Sequence, residues 1–245
     1  MARERYDVLV VGGGHAGCEA AVAAARMGSS VLLLTGNLDT IGLMSCNPAV
    51  GGIGKGQLVR ELDALGGVMA EVTDSAAIHY RQLNTSKGRA VRSSRVQVDR
   101  QAYRMAMKAL LEKEKDLVLA QGMAARVLTR GKTAVGVETE LGQKLHAKTV
   151  VLAPGTFLDG VVHIGMTQYP AGRMGEAPAV ALSRSLAGMG FEMGRFKTGT
   201  PARVDIRSLD LGKMKEQPGD DEPLAMSFWT GREVRNRMKC HVTYT

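Results

Sequence analysis

The sequence predicts an α/β fold built around a parallel β-sheet. Two short apolar segments, residues 6–11 and 31–35, indicate strands that are buried on both faces. A glycine-rich turn and an alanine-rich segment lie between them, and the latter favours a helix that ends near Gly28. Strand, glycine turn, helix and strand within about 30 residues are typical of the opening unit of a Rossmann-like dinucleotide-binding domain.

The glycine turn carries the pattern Gly12-x-Gly14-x-x-Gly17 directly after the first strand. Gly12 permits the sharp turn, Gly14 lets the backbone approach a pyrophosphate, and Gly17 permits close packing of the helix on the strand. The helix N-terminus supplies amide donors and the positive end of the helix dipole. We therefore expect the whole turn to bind the cofactor; its residues are Gly12, Gly13, Gly14, His15, Ala16 and Gly17.

The second strand and a later strand bear on which dinucleotide is bound. Thr35 stands where an acidic residue usually holds the adenosine ribose, so this position does not distinguish NAD from FAD. Residues 117–152 have the pattern of a β-meander, and the apolar segment 150–155 ends in Ala-x-Gly. Such a strand is typical of the FAD domain of glutathione-reductase-like flavoproteins, which favours FAD.

Further along the chain, the patterns predict a long loop and three helices. The glycine-rich loop spans residues 36–56, and loops of this length are usually functional or disordered. Its segment 51–56 lacks the spacing and the hydroxyl residue of a nucleotide P-loop. The helices are expected at 57–67 with Leu58, Leu62 and Leu65 on the apolar face, at 99–115 with Ala102, Met105, Ala106, Ala109 and Leu110, and from Pro178 to Gly188 or Gly190.

The chain is basic, with a net charge of +8 and a pI near 9.6. This balance favours a polyanionic partner, although aromatic residues, at 4%, offer few stacking platforms for single strands. The most basic stretch is 81–104. Within it Lys87, Arg92 and Arg95 are candidates to contact the phosphates of a nucleic acid or of the flavin; a solvated face or internal pairing is the alternative.

Several classes of site and location are disfavoured by the sequence. Three cysteines form no CxxC pair and five histidines form no HxxxH pair, so no metal site is expected. No apolar run approaches the ~20 residues needed to span a bilayer. The first apolar run is short and ends at glycines, unlike a secretory signal, so a cytoplasmic protein without membrane association is expected.

Five longer segments resemble the MnmG (GidA) family: residues 12–21, 32–67, 83–100, 154–165 and 194–211. They follow in order over essentially the whole chain. Members of that family are considerably longer, so the resemblance implies an N-terminal portion without the family's C-terminal region. It also implies a FAD-binding domain over residues 1–200 and, from 201–245, the start of an inserted domain on the substrate and NADH side.

The resemblance implies an FAD-dependent tRNA-modifying enzyme. Together with the GTPase MnmE, the family adds an aminomethyl or carboxymethylaminomethyl group to C5 of the wobble uridine 34. Methylenetetrahydrofolate supplies the carbon, NADH reduces the flavin, and the protein is a homodimer. Two further FAD contacts are implied at Ala124 and Ala179, the latter through its backbone because the family commonly has serine there. The present chain alone is expected to be inactive.

Two cysteines, Cys46 and Cys240, match family positions that are implicated in activity. A thiolate that added to C6 of uridine would make C5 nucleophilic towards a one-carbon unit. The alternatives are that either cysteine only shapes the flavin site, or that both are ordinary buried thiols. Cys18, in the first turn of the predicted helix, is expected to be structural.

Three other functions are compatible with these features. The first is a folate- and FAD-dependent tRNA uracil methyltransferase, which the 45–56 loop and the 84–88 segment disfavour. The second is a flavin oxidoreductase acting on a small metabolite, which would need no tRNA. The third is a flavin domain that binds without catalysing a reaction.

Overall fold

The computed structural model describes residues 5–243, which form two compact units. Unit 1 comprises the chain up to Leu43 together with Lys108–Lys197, and unit 2 comprises Met44–Met107 together with the chain from Thr198 onwards. The predicted domain boundary after residue 200 is close to the point where the chain returns to unit 2. Unit 2 also takes in 44–107, however, which the sequence had placed in the FAD-binding domain. The functions given to residues 1–200 and 201–245 stay a prediction.

The described residues contain thirteen strands and five α-helices. The strands are β1 (Tyr6–Val11), β2 (Val31–Thr35), β3 (Ala49–Gly51), β4 (Ala77–Leu83), β5 (Ser93–Val98), β6 (Leu117–Gln121), β7 (Ala124–Arg130), β8 (Thr133–Thr139), β9 (Lys144–Leu152), β10 (Val161–Ile164), β11 (Thr167–Pro170), β12 (Lys215–Gln217) and β13 (Cys240–Val242). The helices are α1 (His15–Arg26), α2 (Lys55–Ala64), α3 (Met69–Ala76), α4 (Arg100–Lys113) and α5 (Val180–Gly188).

Unit 1 is built on a six-stranded sheet in the order β6-β2-β1-β9-β8-β7. The first four strands are parallel, while β7, β8 and β9 form an antiparallel meander whose last strand returns beside β1. This confirms the predicted α/β fold with a parallel sheet and meander. One detail differs, because Leu117–Gln121 pairs in parallel with β2 and lies outside the meander.

Small residues let α1 approach the sheet of unit 1 closely. Its buried side includes Gly17, Cys18, Ala21 and Ala25. The helix ends before Gly28, whose φ of +85° is the left-handed conformation that glycine adopts after a helix C-terminus. The core beneath consists of apolar side chains from the strands and α5, among them Leu9, Val11, Leu32, Leu34, Val137 and Leu182.

Unit 2 contains a three-stranded antiparallel sheet in the order β3-β5-β4 and a separate two-stranded antiparallel sheet formed by β12 and β13. The loop predicted over residues 36–56 therefore includes a short strand, and α2 begins at Lys55, two residues earlier than expected. The basic stretch 81–104 contains the end of β4 and all of β5.

The predicted apolar face of α2 was wrong. Leu58 and Leu65 are 63% and 87% exposed, whereas Val59 and Asp63 are buried. The cause is Gly56, where a Cβ would come within 2.6 Å of the Ser94 carbonyl oxygen. This close approach turns the glycine face, rather than the leucine face, towards the sheet.

The predicted face of α4 was also wrong. Ala102 and Met105 are exposed, whereas Tyr103, Met107 and Leu111 are fully buried at intervals of four residues. Burying the three large side chains removes more apolar surface from water than burying an alanine-rich face. Asp99 begins the helix as predicted, since its carboxylate accepts the amides of Gln101 and Ala102.

Candidate functional site

The candidate cofactor site lies in unit 1, where β1, β2 and β9 end side by side. The Gly12 amide donates to the Leu34 carbonyl and the Ala153 amide donates to the Val11 carbonyl, each at 2.8 Å. From β1 the chain passes through α1 to β2 on one side, whereas β9 lies on the other. In open α/β sheets ligands bind outside the strand ends at such a change of direction.

Gly12 and Gly17 are required by close backbone contacts. Gly12 has φ +110°, and a Cβ there would overlap the carbonyl oxygen of Ala153. A Cβ on Gly17 would overlap the carbonyl oxygen of Gly12, so α1 lies directly against the end of β1. The turn and the helix packing predicted for these two glycines are both present.

Gly14 is different, because protein packing does not require a glycine there. Its backbone is extended, with φ −77° and ψ −177°, and a Cβ would meet no atom within 4 Å. The space in front of it adjoins the first amides of α1, which have no intrahelical acceptor and lie at the positive end of the helix dipole. A diphosphate fits these donors and this space, so the residues present are compatible with a bound dinucleotide.

Gly13 and Thr35 lie together beside this turn. A Cβ on Gly13 would come within 2.8 Å of Thr35 Oγ1 and 3.1 Å of the Ile41 side chain. Thr35 is the last residue of β2, where the ribose partner is expected. The nearby Asp39 instead forms an ion pair with Lys108 at 2.9 Å. Thr35 therefore remains the predicted ribose contact.

His15 and Ala16 open α1. Burial lowers the pKa of the His15 imidazole, because desolvation penalises its charged form. A neutral imidazole adds no positive charge, and Ala16 has no polar side chain. Both residues can therefore serve a phosphate chiefly through their backbone amides.

Ala124 and Ala179 are buried in the core of unit 1. Ala124 begins β7, and Ala179 precedes α5 with its amide donating to the Phe157 carbonyl at 2.7 Å. Neither methyl group is at the surface, so contact with FAD at these positions stays a prediction that depends on the backbone.

Cys46 lies in unit 2 between Met44 and β3 and is partly exposed. Its thiol donates a hydrogen bond to the Gly199 carbonyl at 2.9 Å. The Arg203 guanidinium donates to the Cys46 carbonyl. The segment that contains Gly199 and Arg203, more than 150 residues away in the sequence, thus holds Cys46 in place.

Cys240 lies in β13 opposite Gln217 of β12 and is half-buried. Burial raises the pKa of its thiol, while the guanidinium groups of Arg95 and Arg81 oppose that shift. The net direction is upwards, so the resting form is the neutral thiol. A catalytic function for Cys240 would require a substrate or cofactor that favours the thiolate.

The three basic candidates separate into two environments. Lys87 and Arg92 are exposed, and Arg92 Nε donates to the Lys87 carbonyl at 3.3 Å. Arg95 is half-buried in β5 and acts on Cys240. Within residues 5–243 none of the three forms an ion pair, which leaves Lys87 and Arg92 open to an anionic partner.

Comparison with known proteins places this geometry in a family. The sequence profile of the family described as Glucose inhibited division protein A matches residues 7–245. The chain belongs to the GidA family. It is 53% identical over 240 residues to the "tRNA uridine 5-carboxymethylaminomethyl modification enzyme MnmG" of Geotalea uraniireducens, and 53% identical over 244 residues to the protein of that name from Chlamydia muridarum.

These GidA-family relatives are much longer than the present chain. The match covers 98% of this chain in each case, but only 38% of the Geotalea protein and 40% of the Chlamydia protein. The chain thus spans about two fifths of the length of the curated relatives that it matches.

The fold of unit 1 and unit 2 is also found in solved GidA structures. Aquifex aeolicus GidA has a TM-score of 0.93 at 45% identity, covering 97% of this chain and 41% of that chain. The GidA-related protein from Thermus thermophilus has a TM-score of 0.58 at 28% identity, covering 76% and 69%. The Rossmann-like FAD-binding fold class predicted from the sequence is confirmed.

One feature of this GidA-family chain was missed by sequence reasoning. Two buried carboxylates, Asp63 of α2 and Asp74 of α3, accept hydrogen bonds from the turn 226–230. A signal existed, because Asp63 follows Gly56 and Val59 at helical spacing.

Two absences apply to the described part of the chain, residues 5–243. No helix there is both long and apolar enough to cross a membrane. No grouping of three or more histidine, cysteine, aspartate or glutamate side chains there could hold a metal ion.

Proposed function

We propose that this chain is the FAD-binding part of an enzyme that modifies the wobble uridine of tRNA. The reaction adds an aminomethyl or carboxymethylaminomethyl group to C5 of uridine 34. The observation that carries the proposal is the 53% identity, over nearly the whole chain, to proteins named for this modification. The longer protein would perform the reaction, and the present chain alone would be inactive.

The glycine turn of unit 1 is the proposed FAD site. The amides at the start of α1 would hold the diphosphate in front of Gly14, and Thr35 would contact the ribose. The open position at Gly14 supports this assignment, because nothing in the protein needs that space. Bound FAD would supply the redox step, with NADH as its reductant.

The other components are proposed from the same family membership. They are a MnmE-type GTPase partner, methylenetetrahydrofolate as one-carbon donor, tRNA as substrate, a homodimeric assembly and a cytoplasmic location. Exposed Lys87 and Arg92 are compatible with contact to tRNA phosphates, which would be sensitive to salt.

Cys46 is the better supported of the two candidate nucleophiles. Cys46 is partly exposed and is positioned by the Gly199 carbonyl, whereas burial disfavours the thiolate of Cys240. In the proposed step the thiolate adds to C6 of uracil and the ring electron pair moves to C5. C5 then bonds to the electrophilic carbon of the one-carbon unit, and the π electrons of that carbon's double bond to nitrogen pass to the folate nitrogen. C5 loses its proton to a base, and the thiolate leaves from C6.

Two other functions make different predictions. A folate- and FAD-dependent tRNA uracil methyltransferase would use the same ring chemistry but would leave a methyl group on another uridine. A flavin oxidoreductase of a small metabolite would oxidise NADH with small acceptors and would not respond to tRNA.

Mass spectrometry of tRNA nucleosides tests the proposal. Cells that lack the full-length gene should lose the wobble modification, and unchanged nucleosides would refute it. A full-length Cys46→Ser variant should retain FAD but not restore the modification. A Cys18→Ser variant is the matched control and should restore it, because Cys18 is fully buried in α1.

A further inference from the structure

The turn 225–230 of unit 2, here called the aromatic turn, is held rigidly by buried carboxylates. Asp74 accepts the amides of Met226 and Ser227 at 2.8 and 2.9 Å and the Thr230 hydroxyl at 2.6 Å. Asp63 accepts the Ser227 hydroxyl at 2.8 Å and the Phe228 amide at 2.7 Å. Hydrogen bonds to buried charged acceptors are among the stronger ones in proteins, so the backbone here is fixed.

This rigid backbone presents two aromatic rings to solvent. Phe228 is 59% exposed and Trp229 is 69% exposed. The Trp229 indole N–H donates to the Asp63 carbonyl at 3.2 Å, which fixes the ring orientation and satisfies its one polar group. The Arg60 guanidinium lies 4.2 Å from the Phe228 ring centre and donates to the Ala225 carbonyl. A chain with few aromatic residues thus holds two of them exposed and pre-oriented.

A basic cleft shares Asp74 with the aromatic turn and is lined by residues that follow the turn in the sequence. It has a volume of about 340 Å³, and its lining includes Tyr80, Arg232, Arg235 and Arg237. Two carboxylates, Asp74 and Glu233, also line it. Asp74 is already engaged, because both of its oxygens accept hydrogen bonds from the turn and Oδ1 also accepts the Tyr80 hydroxyl at 3.2 Å.

The three guanidinium groups are available for an anion. Among residues 5–243 none of Arg232, Arg235 and Arg237 forms an ion pair. Arg232 donates to the Asp74 carbonyl at 3.0 Å, which positions its guanidinium at the cleft. Exposed aromatic rings next to a basic groove are the combination that binds single-stranded nucleic acid, with bases on the rings and phosphates in the groove.

We propose that the aromatic turn and its arginine cleft bind an unpaired segment of RNA, with a base stacked on Trp229 and its neighbouring phosphodiesters held by Arg232, Arg235 and Arg237. This inference rests on the proposed function, since it assigns a binding surface to the RNA substrate. An uncharged or basic partner would leave the three guanidinium groups without counter-charge. RNA supplies both the phosphates for these groups and the planar bases that stack on the exposed Trp229 ring, which favours it over an acidic protein segment.

The chain has a single tryptophan, so its intrinsic fluorescence reports on Trp229 alone. Titration of the purified chain with oligouridine should quench this fluorescence saturably. Three phosphate contacts on a single strand predict a slope of log affinity against log salt of about −2. No quenching by oligouridine would overturn the proposal. Equal quenching by inorganic phosphate alone would also overturn it, because the cleft would then take a small anion.

Variants test the two halves of the surface, with anisotropy of fluorescein-labelled oligouridine as the readout. Trp229→Ala should weaken binding by roughly 5- to 150-fold, and Trp229→Phe should restore most of it because phenylalanine also stacks. Arg235→Gln should make the salt slope shallower by about 0.7. Phe196→Ala, which removes a ring that is 99% exposed in unit 1, is the matched control and should bind normally.

Further results separate this proposal from its alternatives. Wild-type RNA affinity in both Trp229→Ala and Arg235→Gln would overturn it, and so would concentration-dependent self-association that is lost in Trp229→Ala. Deletion of the full-length gene could remove the wobble modification, and a gene that encodes the Trp229→Ala variant could restore it at limiting tRNA. The RNA surface would then be refuted while the proposed function stands. Unchanged nucleosides after deletion would refute both.

Discussion

Substitution of Gly14 by valine separates cofactor binding from folding. A Cβ at Gly14 meets no protein atom within 4 Å, and the backbone there is an extended conformation that valine adopts readily. Valine is a poorer residue than glycine at the position before a helix, which destabilises the fold. Valine also lowers the conformational entropy of the unfolded chain, which stabilises the fold, so the two effects act in opposite directions. We therefore expect the free energy of unfolding without cofactor to change by no more than about 1 kcal/mol.

The effect on FAD should be much larger. The valine side chain would occupy the space in front of the first amides of α1 and keep the diphosphate from reaching them. Each charge-assisted hydrogen bond lost costs about 1.5–3 kcal/mol, which corresponds to roughly a 10- to 150-fold weaker affinity. Gly17→Ala gives the opposite pattern, because its Cβ would overlap the Gly12 carbonyl oxygen and so destabilise the fold itself.

The assay is titration of the purified chain with FAD, followed by flavin fluorescence, together with thermal unfolding in the absence of FAD. Gly188→Val is the matched control, since it makes the same change at an exposed position where a Cβ also meets nothing. Normal FAD affinity in Gly14→Val would refute the reasoning. So would a melting temperature as low as that of Gly17→Ala, because it would mean that Gly14 serves the fold.

Three further predictions concern stability and reactivity. The Lys148 ammonium and then Ser30 hold the pKa of Asp7 well below its usual range, so Asp7 stabilises the fold above about pH 4 and this benefit is lost as the pH falls further. Asp7→Asn should accordingly lower the melting temperature at pH 7, and the difference from the wild type should shrink progressively as the pH falls below about 4; a pH-independent difference would contradict this. Asp74→Ala leaves two amides and two hydroxyls without their acceptor. The free energy of unfolding should fall by about 3 kcal/mol or more, as measured by denaturant titration. An unchanged midpoint would count against this prediction. Burial raises the pKa of the Cys18 thiol to about 12. Iodoacetamide should therefore label Cys46 and spare Cys18 in the native protein, as measured by peptide mass spectrometry. Rapid labelling of Cys18 would disprove its burial.

The cofactor half of the candidate site was predictable because its signals are local. The apolar runs at 6–11 and 31–35 became β1 and β2 with the predicted bounds. The spacing of Gly12 and Gly17 reflects contacts between neighbouring segments, which the structure shows directly. The meander was predictable for the same reason, since its strands are consecutive and connected by short turns.

The helix faces were harder to predict because side-chain type alone does not decide which side is buried. In α2 a glycine and an aspartate face inwards, since Gly56 permits close approach and Asp63 finds donors in the aromatic turn. Those donors are more than 150 residues away in sequence. No pattern within the helix reveals such a partner.

The local sequence alone specifies the α/β unit with its phosphate-binding glycine turn. Backbone sterics and strand burial act over a few neighbouring positions, so local patterns are sufficient to predict these features. The folded chain added the second unit, the placement of Cys46 against Gly199, and the aromatic turn beside its arginine cleft. Those features depend on buried hydrogen bonds between distant segments. Such bonds become favourable only when packing has removed their competing water, which is why folding, and not local pattern, decides them.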